Sequence, residues 1–331
     1  MLSRILNKLP VLSLRTRLRR QATRGIYFFS LIFVAASQGV PALAQDAPKR
    51  PRITGIDHVR IYASDIDKSK AFYKKLYGVR SRGGGCYDES GRCFTVGWFG
   101  YQTITLEQAP SKATNDLLAN IAFRTDDIKQ MRKYLVSKGV SVSEMKMEKC
   151  EESKLEEYFE LRDPEGHSIS FTQRFAIPVD DPGYQAPWFV EIIHAGFVVK
   201  DRSVIDNFYK DILGFRPYWH GGMKENEDSW VAMQVPDGKE WVEYMLNISP
   251  SADRHTLGVM NHIALGVKDI QAPRAAFIKN GGTPGEQPKI GRDGKWQLNL
   301  YDPDDTRVEF MEFTPVQKPC CSEFTGPHPK P

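Results

Sequence analysis

The chain is short of cysteine and has no CxxC pair. Its five cysteines are too few for a disulfide scaffold and lack the spacing of a cysteine metal site. It has no basic stripe with interleaved aromatics, which argues against a nucleic-acid-binding face. Its positive overall balance comes entirely from the amino terminus. Residues 1–44 carry seven Lys or Arg and no Asp or Glu, leaving 38 basic against 41 acidic residues, a net charge of −3 with His neutral. That balance calls for neither nucleic acid nor an anionic membrane as partner. Beyond the run IYFFSLIFVAA, no segment is apolar enough to cross a bilayer.

The leader itself reads as an export signal. Arg15, Arg17, Arg19, Arg20 and Arg24 precede the apolar run, and Ala42-Leu43-Ala44 fits the small-x-small rule for cleavage after Ala44. Arg19-Arg20 matches the dipeptide of a twin-arginine signal. Once residues 1–44 are removed, no membrane partner is expected. Roughly 285 residues remain, enough for two domains, each with its own core. Outside the cytosol, Cys86 and Cys93, which flank the turn-rich Asp88-Glu89-Ser90-Gly91, are expected to form a bridge. Residues 315–331, PVQKPCCSEFTGPHPKP, lack periodicity and read as a Pro-rich flexible tail. His167 and His328 are expected to be solvated, as is His255 in the linker-like NISPSADRHTLG. IPVDDPGYQAPW, residues 177–188, reads as the joint between the two domains.

Four copies of one unit fill the rest. IDHVRIYASDIDKSKAFYKKLYGV aligns without a gap on IIHAGFVVKDRSVIDNFYKDILGF, giving a strand, an Asp-containing turn, an amphipathic helix and a terminating Gly. NIAFRTDDIKQMRKYLVSKGV matches HIALGVKDIQAPRAAFIKNGG, and LRDPEGHSISF matches LYDPDDTRVEF through an Asp-Pro turn before a last strand. Phe72, Leu76, Phe208 and Ile212 recur at helical spacing and read as helix core.

In the second half each copy opens with a His and closes with a Glu: His194 in VEIIHAGFVV, Glu243 in EWVEYMLN, His262 in VMNHIALGV and Glu309 in TRVEFMEF. A buried His or Glu on an apolar strand needs a partner, and four converging on one point would be satisfied by a metal ion.

FYKKLYGV, FYKDILGF, RDPEGHSISF and YDPDDTRVEF resemble motifs of the vicinal oxygen chelate superfamily, which includes glyoxalase I, extradiol dioxygenases and bleomycin-resistance proteins. The resemblance implies an α+β fold of four tandem βαβββ modules. These would pair into two domains, 53–175 and 189–314, each a cup of mixed, largely antiparallel sheet with flanking helices. It also implies that the metal ligands come from first and last strands of paired modules. Carried over, these are His194, Glu243, His262 and Glu309. In the first half His58 is present, but Thr103, Asn120 and Ser170 fall at the other three places and are poor metal ligands. That site is expected to be degenerate, and Glu107 is not expected to rescue it by a register slip.

Two imidazoles and two carboxylates would hold one divalent ion, whether Zn, Ni, Co, Mn or Fe, and leave two positions for a small, oxygen-rich substrate. The first expectation is metal-assisted proton transfer of the isomerase, epimerase or lyase kind, with Glu243 or Glu309 leaving the metal to act as base, as the likeness to glyoxalase I implies. Ring cleavage by ferrous iron on His194, His262 and Glu309 is the alternative, although no His lies between His262 and Glu309. A small-molecule-binding protein without catalysis is the third reading. His220 is the candidate spare acid or base. Tyr218, Trp230, Trp296, Gln297 and Tyr301 are expected to shape the substrate pocket. The tandem pair completes a cup within one chain, so a monomer suffices, with a homodimer the alternative.

Overall fold

The computed structural model describes residues 48–78, 86–87, 93–99, 102–111, 114–150, 156–173 and 189–330. The expected leader and cleavage site, and the expected joint at 177–188, lie outside them. The first module is β1 (Ile53–Ala63), α1 (Ile66–Tyr77), β2 (Cys86–Tyr87), β3 (Cys93–Phe99) and β4 (Gln102–Gln108). The second is β5 (Leu118–Thr125), α2 (Ile128–Ser137), β6 (Lys146–Cys150), β7 (Glu156–Arg162) and β8 (Ser168–Thr172). The third is β9 (Phe189–Val198), α3 (Arg202–Asp206, continued by a π-helical turn over Asn207–Ile212), β10 (Arg216–Gly221), β11 (Trp230–Gln234) and β12 (Trp241–Met245). A short α4 (Arg254–Met260) leads into the fourth: β13 (His262–Val267), α5 (Gln271–Lys279), β14 (Lys289–Ile290), β15 (Trp296–Tyr301) and β16 (Arg307–Glu312). Each module is βαβββ, as expected.

The repeated Asp after each odd-numbered first strand is a helix cap. Asp65 accepts from Lys68 N and Asp201 from Ser203 and Val204 N, satisfying amides that the first helical turn leaves open. Gly78 ends α1 at φ 66°, a conformation that costs a glycine little. Asp253 caps α4 in the same way, so part of the segment read as a linker is helical.

The strands make two eight-stranded sheets, β2-β6-β7-β8-β5-β1-β4-β3 and β10-β11-β12-β9-β13-β16-β15-β14. In each, the first strands of two modules pair antiparallel at the centre, and each is flanked by its own module's last strand in parallel. One face of each sheet packs against helices in the main core. The other face of the second sheet carries a separate cluster including Ile193, Tyr218, Trp219, Trp241, Met311 and Phe313.

The two halves interlock through the repeat motifs. Tyr73 of FYKKLYG bonds Asp302 of the fourth module's Asp-Pro turn at 3.4 Å, and Tyr209 of FYKDILG bonds Asp163 of the second module's at 3.3 Å. Buried carboxylates need such donors. His167, expected to be solvated, instead bonds Asp163 at 2.8 Å and packs its ring 4.7 Å from Phe197. Gln102 bridges the sheets, donating to Ile56 and Ile192 carbonyls and accepting from Ile192 N. Strand pairing sets Cys86 opposite Cys150 and Cys93 opposite Glu107. The expected Cys86–Cys93 bridge has one end in a side chain outside the described set.

On β9, burial, and then the neighbouring Glu240, push the Glu191 carboxyl up to about 7. Its folded value lies above the unfolded one, so its contribution to stability is lost as pH rises through about 7. Glu191→Gln should therefore raise the melting temperature by a few degrees at about pH 8 and leave it nearly unchanged at about pH 4, below the unfolded value; thermal scans at both measure the difference.

Candidate metal centre

The four expected ligands lie on the four adjacent strands β12, β9, β13 and β16. Register arranges them in two rows across the sheet. Glu243 pairs with Gly196 and Gly196 with His262 in one row; His194 pairs with Ala264 and Ala264 with Glu309 in the other. Each row thus sets two ligands on either side of a small residue, and the curvature of the sheet brings them together above it.

Two local devices aim the side chains. β9 carries a bulge at Ile193, where Leu265 pairs with Ile192 while Ala264 pairs with His194. The extra residue lets Ile193 join the cup-side cluster while His194 also enters the site. Gly196 supplies room: a Cβ there would stand 2.0 Å from His262 Cε1 and 2.3 Å from Nδ1. The His262 ring therefore lies directly over the backbone of β9.

The donor atoms converge. His194 Nε2 lies 3.0 Å from His262 Nε2, and Glu243 Oε2 lies 3.8 and 3.5 Å from these two nitrogens. Donor atoms of His194, Glu243 and His262 all fall within 4.8 Å of one another. Glu309 Oε2 adds a fourth, 3.7 and 3.4 Å from the same nitrogens. Ligands about 2.1 Å from one ion stand roughly 3.0 to 3.4 Å apart in octahedral or tetrahedral geometry, so the residues fit a divalent metal with small adjustments.

Protonation agrees. His262 Nδ1 donates to the Met260 carbonyl at 2.8 Å, which leaves Nε2 as the lone-pair nitrogen. Burial holds His194 down to about 4, so its imidazole is neutral near pH 7. Burial opposes charge on Glu309, but Arg307, then His262 and His194, outweigh it and hold the carboxyl at about 2. Glu243 is likewise lowered by His262 and His194 against its burial. Acceptors facing one another at these distances repel unless a cation sits among them. Arg307 Nη2, 2.9 Å from both His262 ring nitrogens, supplies part of that charge and must yield Nε2 to an incoming ion.

The first cup lacks these conditions. His58 bonds Asp57 at 2.9 Å, and Ser170 Oγ donates to Asn120 at 2.9 Å, so the residues at ligand places partner protein groups. Register corrects one expectation: Thr103 pairs with His58, as Trp241 does with His194, so the counterpart of Glu243 is Thr105, not Thr103. It also shows that Arg60 stands at the Gly196 position, opposite Asn120. The side chain that Gly196 omits is here a long cation, placed in the row between two former ligands.

Glu243 and Glu309 border a cavity of about 590 Å³, and His194 and His262 stand outside its lining. Tyr218, Trp230 and Gln297 line it as expected, with Glu243 and Glu309 at its floor. Three expectations fail. Trp296 packs on the opposite side of β15, against the main core. Tyr301 donates to Glu286 at 2.8 Å and is not part of the lining. His220 is turned outward, its side chain 47% exposed and bonded to Asp228 at 2.7 Å. Alternation along β10 hid this, because a bulge between Pro217 and Trp219 breaks it and lets both Tyr218 and Trp219 face the cup.

The tail does not trail free. Thr325 N bonds Tyr218 O, Ser322 and His220 exchange hydrogen bonds, and Gln234 Nε2 donates to the Pro327 carbonyl at 2.9 Å. The segment thus covers β10, the outer strand of the sheet. Cys320 and Cys321 are bonded to each other, and Phe324 lines the cavity. His328 Nδ1 is hydrogen-bonded to the Tyr218 hydroxyl at 2.6 Å instead of lying free in solvent.

Gly196→Ala should keep the fold by circular dichroism yet lower metal affinity by on the order of 100-fold, because the new methyl displaces the His262 ring. Inductively coupled plasma mass spectrometry beside His262→Ala measures the loss; a full metal load in Gly196→Ala would mean that the ring is not needed where it stands.

A family model, Glyoxalase/Bleomycin resistance protein/Dioxygenase superfamily, matches residues 55–171 and 191–310. No curated protein matches the sequence. Among solved structures, a histidine-to-glutamine variant of homoprotocatechuate 2,3-dioxygenase from Brevibacterium fuscum is 18% identical, with a TM-score of 0.61 over 85% of this chain and 75% of that one. The anaerobic complex of that organism's enzyme with 3,4-dihydroxyphenylacetate is 19% identical, with a TM-score of 0.58 over 85% and 84% of the two chains. At such identity the likeness concerns the fold. With both halves matched and the cup described above in each, the chain belongs to the Glyoxalase/Bleomycin resistance protein/Dioxygenase superfamily.

Proposed function

We propose that the second cup is the active site of a divalent-metal-dependent enzyme that moves a proton on a small, oxygen-rich substrate. The observation that carries this reading is the convergence of two imidazoles and two carboxylates, the carboxylates bordering an accessible cavity. His194, Glu243, His262 and Glu309 would hold the ion, and their two negative charges match its two positive ones. A bound divalent ion supplies Lewis acidity to adjacent substrate oxygens.

The protein's own groups divide the remaining work. Glu309 is 5% exposed and lies 4.0 Å from Arg307, so it is the fixed carboxylate; Glu243 is 13% exposed and has room to swing into the cavity. Its lowered pKa means that it arrives ionised, ready to accept a proton. Tyr218, Trp219, Trp230 and Trp241 wall the cavity and exclude water from the transfer.

Extradiol ring cleavage is the second reading, favoured by the fold shared with the dioxygenase structures. The placement of candidate acids speaks against it. His220 faces solvent, His328 meets the cup through Tyr218, and Tyr301 is bound to Glu286. We further place the mature protein outside the cytoplasm, on the strength of its arginine-rich, apolar leader; amino-terminal sequencing of the exported protein should begin at Gln45.

Metal analysis of protein purified without chelator, joined to Glu243→Ala, separates the readings. Proton transfer predicts bound zinc, nickel, cobalt or manganese, no oxygen uptake with a catechol panel, and loss of activity in Glu243→Ala by on the order of 100-fold or more. Iron, oxygen consumption and retained activity in the variant would replace it with ring cleavage.

A further inference from the structure

Lys295 is fully buried, yet it belongs to the wall of the same cavity. Lysines are rarely buried unless paired with an acid. Among the described residues Lys295 forms no ion pair. Its ammonium has the Tyr218 hydroxyl at 3.4 Å and three rings around it, with Nζ 4.7 Å from the Trp241 centroid, 5.0 Å from Phe324 and 5.3 Å from Tyr218. Cation–π contacts return only part of the hydration that an ammonium loses on burial. The nearby Asp293 accepts from Lys295 N and from Gln297 Nε2 through Oδ1, both at 3.1 Å, and its charge acts on the Lys295 ammonium from beyond ion-pair distance.

Trp241 ties this cage to the metal centre. Its ring lies 4.8 Å from that of His194 and 4.7 Å from Lys295 Nζ. The cavity also presents Lys289, Arg292, Arg307 and Lys318. Once Glu243 and Glu309 are matched by an ion, Asp293 is the one carboxylate left in the described lining against these cations.

We infer that Lys295 is the anchor for a carboxylate carried by the substrate, one side chain's width from the oxygens that face the metal. The substrate is then an organic acid with its reacting oxygens at one end and its carboxylate at the other. Burial first, opposed by Asp293, Glu243 and Glu309, lowers the Lys295 ammonium to about 8, which leaves it charged near pH 7. Lys295 Nζ donates to the Tyr218 hydroxyl, itself hydrogen-bonded to His328, and this fixes the direction of the ammonium.

The identity of the whole substrate rests on the proposed metal site, but the carboxylate anchor does not, so the two can be tested apart. Phenylacetate, which has a carboxylate and no chelating oxygens, is titrated by tryptophan fluorescence into the metal-free full-length protein. Wild type should bind it at least about 10-fold more tightly than Lys295→Met and Lys295→Gln, whose melting temperatures show that they fold. A zinc-loaded sample is titrated with 4-methylcatechol and 3,4-dihydroxyphenylacetate without oxygen. Wild type should prefer the acid, and both variants should lose that preference while keeping their affinity for the neutral catechol. Equal phenylacetate binding by wild type and variants, or none by wild type, overturns the anchor. Failure of zinc to bind while phenylacetate still distinguishes Lys295 overturns the metal reading alone.

Discussion

The second cup depends on the close approach of one imidazole to one glycine. His262 can face His194 only because β9 has no side chain beneath the ring, and the ring and a Cβ at 196 cannot coexist. The neighbouring row obeys the same constraint less severely, with Ala264 between His194 and Glu309. Small residues in mid-strand usually weaken a sheet. Here they provide the hollow in which side chains from four strands meet, and flanking Trp241, Met311 and Phe313 restore apolar packing around it.

Electrostatics follow from that hollow. Burial disfavours charge on every group in it, so the imidazoles are held neutral or share protons with carboxylates, while the carboxylates remain ionised through their neighbours. Such an assembly sets acceptor atoms against one another, with Glu243 Oε2 and Glu309 Oε2 both within 3.8 Å of His194 Nε2. In the first cup the same scaffold is satisfied internally: Asn120 and Ser170 bond each other, His58 has Asp57, and Arg60 takes the place of Gly196. One architecture thus carries a converging His and Glu cluster in one half and internally bonded residues in the other, the halves joined by the reciprocal Tyr73–Asp302 and Tyr209–Asp163 contacts.

Much of this was legible in the sequence, because the repeat is nearly gapless where it matters. The module order, the Asp-containing turns before the helices and the four converging His and Glu residues all follow from aligned copies. The Arg60-for-Gly196 exchange was visible in the same alignment, but it acquires meaning only once cross-strand register sets that position beside the ring. Thr103 was mistaken for Thr105 because linear matching does not fix the offset between parallel strands. His220 takes an outward face because of the bulge in β10, Tyr301 stands at the end of β15 beside Glu286, and Trp296 and Gln297, adjacent on an unbulged strand, take opposite faces by simple alternation. Lys295 follows an Asp-Gly turn in GRDGKWQLNL and looks solvated in sequence. It is buried by Phe324, from a Pro-rich segment with no periodicity to announce that it packs.

That closing segment bears on how the protein can be handled. The last residues cross β10 and reach the cavity wall, with His328 bonded to Tyr218. A polyhistidine purification tag fused at the carboxy terminus would hang imidazoles beside the wall of the candidate metal site, so a count of bound metal is best taken from untagged protein.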